Sequence, residues 1–242
     1  MRQHLKNKKS GFTLMETVIA IGVLAVMLTA FMGVFAPAAK GIRRAINVQE
    51  ADRLTSALEK ELATFRVGDT KSGAGNTAFN KAYSWIQNSH QPNSVIICYQ
   101  YRGNPSSLRP DGSMTPYVAI NGTPGKEYVV QPMFRLRSDP LLSADLAARE
   151  GRVFFVRMTQ LTMTNNGLVL GNPGQIANPP ALPNTTALTG QGADGYNDAT
   201  IPFVAEFFEI PTSDPNFIKA GGGLNPQNIT VPLFSRNLAV RR

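Results

Sequence analysis

The sequence predicts an α+β fold in which a long N-terminal helix packs on a mainly antiparallel β-sheet head. Two observations support this prediction. Residues 12–66 form a nearly continuous helical pattern, apolar in its first half and amphipathic in its second half. Residues 67–242 then contain 17 glycines and 16 prolines, and short β-type runs there alternate with turn signals.

The composition limits the kinds of site that the chain can hold. Of its 242 residues, 43% are hydrophobic and 17% are charged, which suits a folded core. The single cysteine, Cys98, excludes an intrachain disulfide and a cysteine-rich zinc module. Two histidines, His4 and His90, are too few for a histidine-based metal centre. We therefore expect no metal and no cofactor.

A short basic segment precedes a long apolar run. The first eleven residues contain no acid and carry half of the net charge of +8, on Arg2, Lys6, Lys8 and Lys9. Residues 12–39 follow, with Glu16 as the only ionisable side chain. About 20 apolar residues span the hydrocarbon core of a bilayer, so this run is long enough to cross a membrane. The preceding basic residues predict a cytoplasmic N-terminus and a head on the opposite, periplasmic side.

Three interpretations of this N-terminus are open. In the first, a secretory signal is cleaved at Ala36-Pro37-Ala38, but the apolar run exceeds the roughly 7–15 residues of a signal core and Glu16 interrupts it. In the second, the run is an uncleaved signal anchor and Glu16 has no role. The third treats residues 9–16, KSGFTLME, as one unit.

That unit, with the basic residues before it, resembles the class III leader of type IV pilins and of the pseudopilins of type II secretion. The resemblance covers about the first fifth of the chain. It implies that a prepilin peptidase/methyltransferase cuts between Gly11 and Phe12 and methylates the new N-terminus. It also implies that Glu16 acts in assembly. The leader charge is supplied by Lys6, Lys8 and Lys9.

The residue types of the motif fit this chemistry. Gly11 has no side chain, so a protease can approach the backbone. Cleavage creates a positive amine on Phe12, one helical turn from Glu16, and a carboxylate in the first turn lies at the positive end of the helix dipole. In a filament, as the resemblance implies, Glu16 meets the amine of a neighbouring subunit. This pairing sets the axial register, because an unpaired buried charge penalises every wrong stagger.

The helical pattern continues beyond the membrane-length run. Apolar residues recur mostly three, four or eight positions apart, at Ile42, Ile46, Leu54, Leu58, Leu62 and Phe65. We expect this stripe to pack on the protein's own head and the helix to stop near Gly68. Pro37 has no backbone N–H and is expected to kink the helix.

The region after Gly68 predicts the β-rich head. Eight β-type runs occur, at 94–101, 117–120, 127–131, 133–137, 152–163, 167–170, 201–210 and 229–234. Alternation is clearest in 152–163, as expected of a strand with one face on a core. Asn165-Asn166-Gly167 predicts a hairpin between that strand and 167–170. A short helix is expected over 81–88.

These patterns divide the chain into a cleaved basic leader at 1–11, a transmembrane helix half at 12–39, an amphipathic helix half at 40–67 and a globular head at 68–242. The head contains a loop at 171–200 that is rich in proline and glycine and has no Lys or Arg. Three of its side chains are candidate calcium ligands, because some pseudopilins bind calcium in a late loop: Asp194, Asn197 and Asp198. Their spacing does not match an EF-hand, so we predict a solvated turn and no metal.

The search for catalytic motifs finds no G-x-S-x-G, no H-E-x-x-H and no phosphate-binding loop. His90 is expected to be a surface residue, and Cys98 a small buried apolar residue. Ser72 beside Lys71 fits a polar turn better than a catalytic dyad. We expect that the protein is not an enzyme.

The resemblance therefore implies a pilin-like structural subunit of the inner membrane. Many type IV pilins close their C-terminal region with a disulfide, which a single cysteine forbids, and a mature length of 231 residues exceeds that of a typical major subunit, so a minor pseudopilin is expected. Its expected partners are the prepilin peptidase/methyltransferase, other pilins or pseudopilins, an inner-membrane assembly platform and the lipid bilayer.

Two alternatives come from other classes. One is a DNA-binding pilin of a competence system, suggested by Arg102, Arg109, Arg135, Arg137, Arg152, Arg157, Arg236, Arg241 and Arg242. A net charge of +4 after cleavage is modest for nucleic-acid binding. The other is a signal-anchored periplasmic protein that belongs to no filament.

Overall fold

The computed structural model describes residues 13–164, 167–178 and 192–242. The chain divides into two compact units, Met1–Ile46 and Asn47–Arg242. A long N-terminal helix is followed by a mainly antiparallel seven-stranded sheet. The predicted α+β fold class is confirmed.

The first element, α1, is a 49-residue helix at Leu14–Leu62. Pro37 lies inside it, and the helix continues on both sides of this residue. The kink at Pro37 remains a prediction. The helix ends before the expected stop at Gly68, because Arg66 N–H donates to Asp69 Oδ2 at 2.6 Å and forms a separate turn. Gly68 occupies that turn with a positive φ of 90°.

Seven strands form the sheet: β1 Ile96–Leu108, β2 Met114–Pro116, β3 Val129–Leu136, β4 Arg149–Thr164, β5 Gly167–Leu170, β6 Thr200–Glu209 and β7 Phe234–Arg241. The strand order is β2-β1-β4-β6-β7, with β3 paired to β1 and β5 paired to β4. Every one of these strand pairs is antiparallel. The predicted hairpin is confirmed, because Thr164 pairs with Gly167; Asn165 and Asn166 lie outside the described residues.

Four of the predicted β-type runs differ from the observed strands. The runs 127–131 and 133–137 are one strand, β3, because Pro132 pairs with Gln100 at a sheet edge, where the missing N–H is tolerated. The run 117–120 is not a strand, and the pairing occurs instead at β2. The run 229–234 overlaps β7 only at Phe234, because the chain leaves a 3-10 turn at Pro226–Asn228 and joins the sheet at that residue.

Four α-helices accompany the sheet in the part of the chain that the structure describes. After α1 come α2 at Ala78–Asn88, α3 at Leu142–Ala147 and α4 at Pro215–Ile218. The short helix predicted over 81–88 is therefore confirmed and begins three residues earlier. Its start is set by Thr77, whose Oγ1 accepts the Asn80 N–H at 3.2 Å.

Both faces of the central strand β4 are covered. Phe154 and Val156 belong to the core under α1 and α2, while Val153 and Phe155 belong to the core under α3 and α4. The expectation of one buried face was wrong, because two short helices and their loops cover the second face.

The predicted apolar stripe of α1 divides between the two units. Leu54, Leu58 and Leu62 are buried in the core of the second unit, which confirms packing on the head for this part. Ile42 and Ile46 belong to the first unit and are 62% and 55% exposed.

The described parts of the loop 171–200 also contribute to the core. Ile176, Ala193 and Tyr196 are at most 2% exposed and pack with the residues of α2. Residues 179–191 lie outside the described part of the chain.

Candidate functional site

The N-terminus of α1 is closed by a side-chain cap. Thr13 precedes the first helical residue, and its Oγ1 accepts the Glu16 N–H at 3.3 Å. The Thr13 carbonyl accepts the Thr17 N–H at 3.2 Å. The spacing T-x-x-E is that of a capping box. The sequence analysis did not identify Thr13, although this spacing was available to reveal it.

Glu16 is thereby held in the first turn of α1, and its side chain is exposed. A carboxylate here faces the positive end of the helix dipole. Five other predicted residues lie outside the described residues: Lys6, Lys8, Lys9, Gly11 and Phe12. The pairing of Glu16 with the Phe12 amine, of its own or a neighbouring subunit, therefore remains a prediction.

The apolar residues that follow are exposed around the whole helix. Between Leu14 and Phe35, the large apolar side chains are between 50% and 86% exposed. Among the described residues, α1 alone is long and apolar enough to cross a membrane, with a mean hydropathy of 2.6 over its most apolar window. An apolar surface of this extent needs lipid or other apolar helices to cover it.

At its other end, α1 is fixed to the second unit by buried charges. Lys81 of α2 is fully buried, and its Nζ lies 2.6 Å from Glu61 Oε1 and 3.0 Å from Asp69 Oδ2. Arg66 contacts the second oxygen of Glu61 at 2.9 Å, and this hydrogen bond raises the pKa of the guanidinium. We call these four residues the Lys81 cluster.

A second group of buried charges holds the far side of the sheet. Arg135 pairs with Asp111 and Asp139 at 2.9 Å and with Asp145 at 2.6 Å. Tyr99 Oη donates to Asp145 at 2.7 Å. Burial, together with the charge of Asp145, raises the pKa of Tyr99 well above its usual value. These contacts hold α3 against β1 and β3.

A cavity of about 260 Å³ lies between the two groups of charges. Its charged lining includes Glu61, Asp69, Asp111, Arg66 and Arg135. Each of these side chains already has an oppositely charged partner in the protein. The cavity therefore does not present an unpaired charge from this set to a ligand.

Eight of the nine arginines that suggested DNA binding make contacts within the protein; the ninth, Arg241, is exposed. Ion pairs join Arg102 to Glu150, Arg109 to Asp145, Arg152 to Glu209 and Arg236 to Asp52, and Arg135 pairs as described above. Three others donate to backbone carbonyls: Arg137, Arg157 and Arg242. This pattern of occupied donors does not favour the nucleic-acid alternative.

The residues considered for catalysis have structural contacts. His90 lies in a loop and is half-buried, with its Nε2 3.1 Å from Met158 O and 2.9 Å from Thr159 Oγ1. Burial, followed by the charge of Arg157, lowers the pKa of His90. Cys98 is buried as expected, and burial raises the pKa of its thiol.

The remaining candidates lie in one polar region. Lys71 Nζ donates to Ala74 O at 3.2 Å, which fits the predicted polar turn. Asp194, considered as a calcium ligand, accepts the Ala74 N–H at 2.7 Å and Asn80 Nδ2 at 3.3 Å. Its carboxylate thus joins the loop to α2. Within 13–164, 167–178 and 192–242, no group of three or more His, Cys, Asp or Glu could hold a metal.

Comparison with known proteins identifies one family feature. Residues 6–32 match the prokaryotic N-terminal methylation motif, the signature of type IV pilins and pseudopilins. The matched range includes Gly11, Phe12, Thr13 and Glu16. No curated protein and no solved structure matches the chain. The motif supports a type IV pilin-like protein, and it implies processing by a prepilin peptidase and assembly with other pilins.

Proposed function

We propose that the chain is a pilin-like structural subunit, a minor pseudopilin, that assembles through its N-terminal helix into a type II secretion-like pseudopilus or pilus. One observation carries the proposal: the methylation motif at 6–32 leads directly into a capped helix whose apolar side chains are exposed on all sides. Proteins that carry this motif are structural rather than enzymatic.

Assembly of the subunit is proposed to have three steps. Before processing, the precursor lies in the inner membrane with its leader in the cytoplasm. Lipid covers the exposed apolar residues of α1, which is long enough to span the bilayer. The leader charges Lys6, Lys8 and Lys9 retain the N-terminus on the cytoplasmic side.

In the second step, cleavage after Gly11 releases an amine on Phe12. A carboxylate within a membrane helix costs about 2.5–3.5 kcal/mol on insertion scales, so Glu16 needs a partner there. The Thr13 cap orders the first turn before assembly, and Glu16 therefore needs little rearrangement to meet the amine of a neighbouring subunit. This pairing selects the register of the filament.

In the third step, the helices of adjacent subunits replace lipid around one another. The part of α1 at 47–62 is fixed to the head by Leu54, Leu58 and Leu62 and by the Lys81 cluster. A force that pulls on this part of the helix during assembly is transmitted to the sheet through these contacts. The helix cannot separate from the head without exposing the buried leucines and breaking the buried ion pairs.

Processing tests the proposal. The full chain is coexpressed with a prepilin peptidase, and its intact mass and N-terminal residue are determined. We expect a product that begins at methylated Phe12, and Gly11→Val should block its formation. The matched control is Gly22→Val, since a Cβ at Gly22 meets no atom within 4 Å. A product of Gly11→Val that is identical to that of the unmodified chain contradicts the proposed processing site.

A further inference from the structure

Three basic residues lie immediately after the apolar run of α1. Lys40, Arg43 and Arg44 are all exposed. Their spacing of three and four positions places them on one face of the helix, which we call the basic face. Ile42 and Ile46 are four positions apart and lie on another face.

The basic face has no acidic partner within its own unit. Among the described residues of Met1–Ile46, the single carboxylate is Glu16, 24 positions before Lys40. At the helical rise this separation is about 36 Å. The arginines of the second unit contrast with this arrangement, since most of them pair with acids or carbonyls. Water can solvate these exposed charges, but an anion from outside the unit would meet no competing carboxylate at the basic face.

The position of the basic face along the helix indicates which anion it meets. Lys40 lies 27 residues after Thr13, and Arg44 lies 31 residues after it. These intervals correspond to about 40 and 46 Å along a straight helix. A bilayer is about 40–45 Å thick when its headgroups are included. If the N-terminus of α1 lies at one membrane surface, the basic face lies at the headgroups of the other.

We propose that Lys40, Arg43 and Arg44 form a site for anionic phospholipid headgroups on the periplasmic surface of the membrane. The inference rests on the proposed function, which places α1 in the bilayer. Cleavage removes every basic side chain of the leader, so these three are the basic side chains of residues 12–46 that remain. The site fixes the depth of the processed subunit in the membrane until it is extracted.

Lipid selectivity tests this site. Every variant of the full, uncleaved chain also carries R2Q/K6Q/K8Q/K9Q, because the basic leader would itself attract anionic lipid. In neutral detergent micelles this chain receives an equal mixture of phosphatidylglycerol and phosphatidylcholine with identical acyl chains, and native mass spectrometry counts the bound lipids. Basic residues near an anionic surface attract it, so we expect at least about a tenfold preference for phosphatidylglycerol. The variant K40Q/R43Q/R44Q should bind both lipids about equally.

Two control variants distinguish binding at the basic face from an effect of net charge and from an effect of the substitutions on folding. R53Q/K60Q/K126Q removes three other exposed basic residues and should keep the preference. K40R/R43K/R44K preserves the charges and should also keep it. The proposal is overturned if K40Q/R43Q/R44Q retains the preference, or if R53Q/K60Q/K126Q loses it equally.

The outcome is independent of processing because the uncleaved chain is used. Lipid preference in a chain that a prepilin peptidase does not cut supports the lipid site and contradicts the proposed function. Cleavage after Gly11 without a lipid preference supports the proposed function and contradicts the lipid site.

Discussion

Lys81 Nζ lies 2.6 Å from Glu61 Oε1, and this pair joins α2 to the last turn of α1 in the interior of the second unit. The two side chains are 0% and 7% exposed. Removal of one partner leaves the other charge buried, so the pair is expected to be far more sensitive to mutation than a surface ion pair.

The first prediction concerns this pair. Lys81→Met should destabilise the full chain in micelles by about 3–5 kcal/mol, because Glu61 and Asp69 lose their shared ammonium partner. Thermal unfolding followed by near-ultraviolet circular dichroism measures the change. Lys60→Met, which removes an exposed lysine from α1 next to Glu61, is the matched control and should change stability by less than about 0.5 kcal/mol. Equal effects of the two substitutions contradict the prediction.

The second prediction concerns the helix cap. Thr13→Ala should cost about 1 kcal/mol of local stability at the start of α1, because the Glu16 N–H loses its acceptor. Hydrogen exchange of the first-turn amides in micelles should become about fivefold faster. Thr13→Ser keeps a hydroxyl acceptor and should exchange at nearly the original rate. Protection that is unchanged in Thr13→Ala would show that the cap does not hold this turn.

The third prediction concerns pH. Burial lowers the pKa of His90, so the unfolded chain binds a proton at this residue more readily than the folded chain does. This contribution to stability is present above the unfolded pKa of about 6.5 and is lost as the pH falls through the lower folded value. The unfolding temperature should therefore decrease between pH 7.5 and pH 5.5. His90→Asn should show a smaller decrease, and an equal or larger one is the contrary result.

The fourth prediction concerns Glu16. Glu16→Ala should still be cleaved after Gly11, because the scissile bond does not involve the carboxylate, but its incorporation into filaments should fall at least about tenfold. That loss corresponds to about 1.4 kcal/mol of register energy, a modest part of the cost of an unpaired membrane charge. Cleavage is scored by intact mass and incorporation by the amount of subunit in sheared filaments. Normal incorporation contradicts the role of charge in the register.

The regular parts of the fold were predictable because their signals are local. The long helix follows from its apolar and amphipathic periods, and the β4–β5 hairpin follows from Asn165-Asn166-Gly167 between two β-type runs. Thr13 was also predictable from the T-x-x-E spacing. It was missed because Glu16 was interpreted only through its pairing with the new N-terminus.

The unpredicted features depend on contacts between distant parts of the chain. The second covered face of β4 is formed by α3 and α4, whose six and four residues are too short to show a helical period. The burial and pairing of the Lys81 cluster and of the paired arginines could not be predicted from the sequence, because buried ion pairs and exposed charges use the same residue types. The predicted runs 127–131 and 133–137 left out Pro132, which lies inside the edge strand β3.

The N-terminus of the subunit inside an isolated filament tests the central claim most directly. Filaments sheared from cells that contain the full assembly system are purified, and mass spectrometry identifies the first residue of this chain among their subunits. We predict a chain that begins at N-methylated Phe12, present in a lower amount than the major subunit. A chain that begins at Met1 or Ala39, or that is missing from the filaments, contradicts the account.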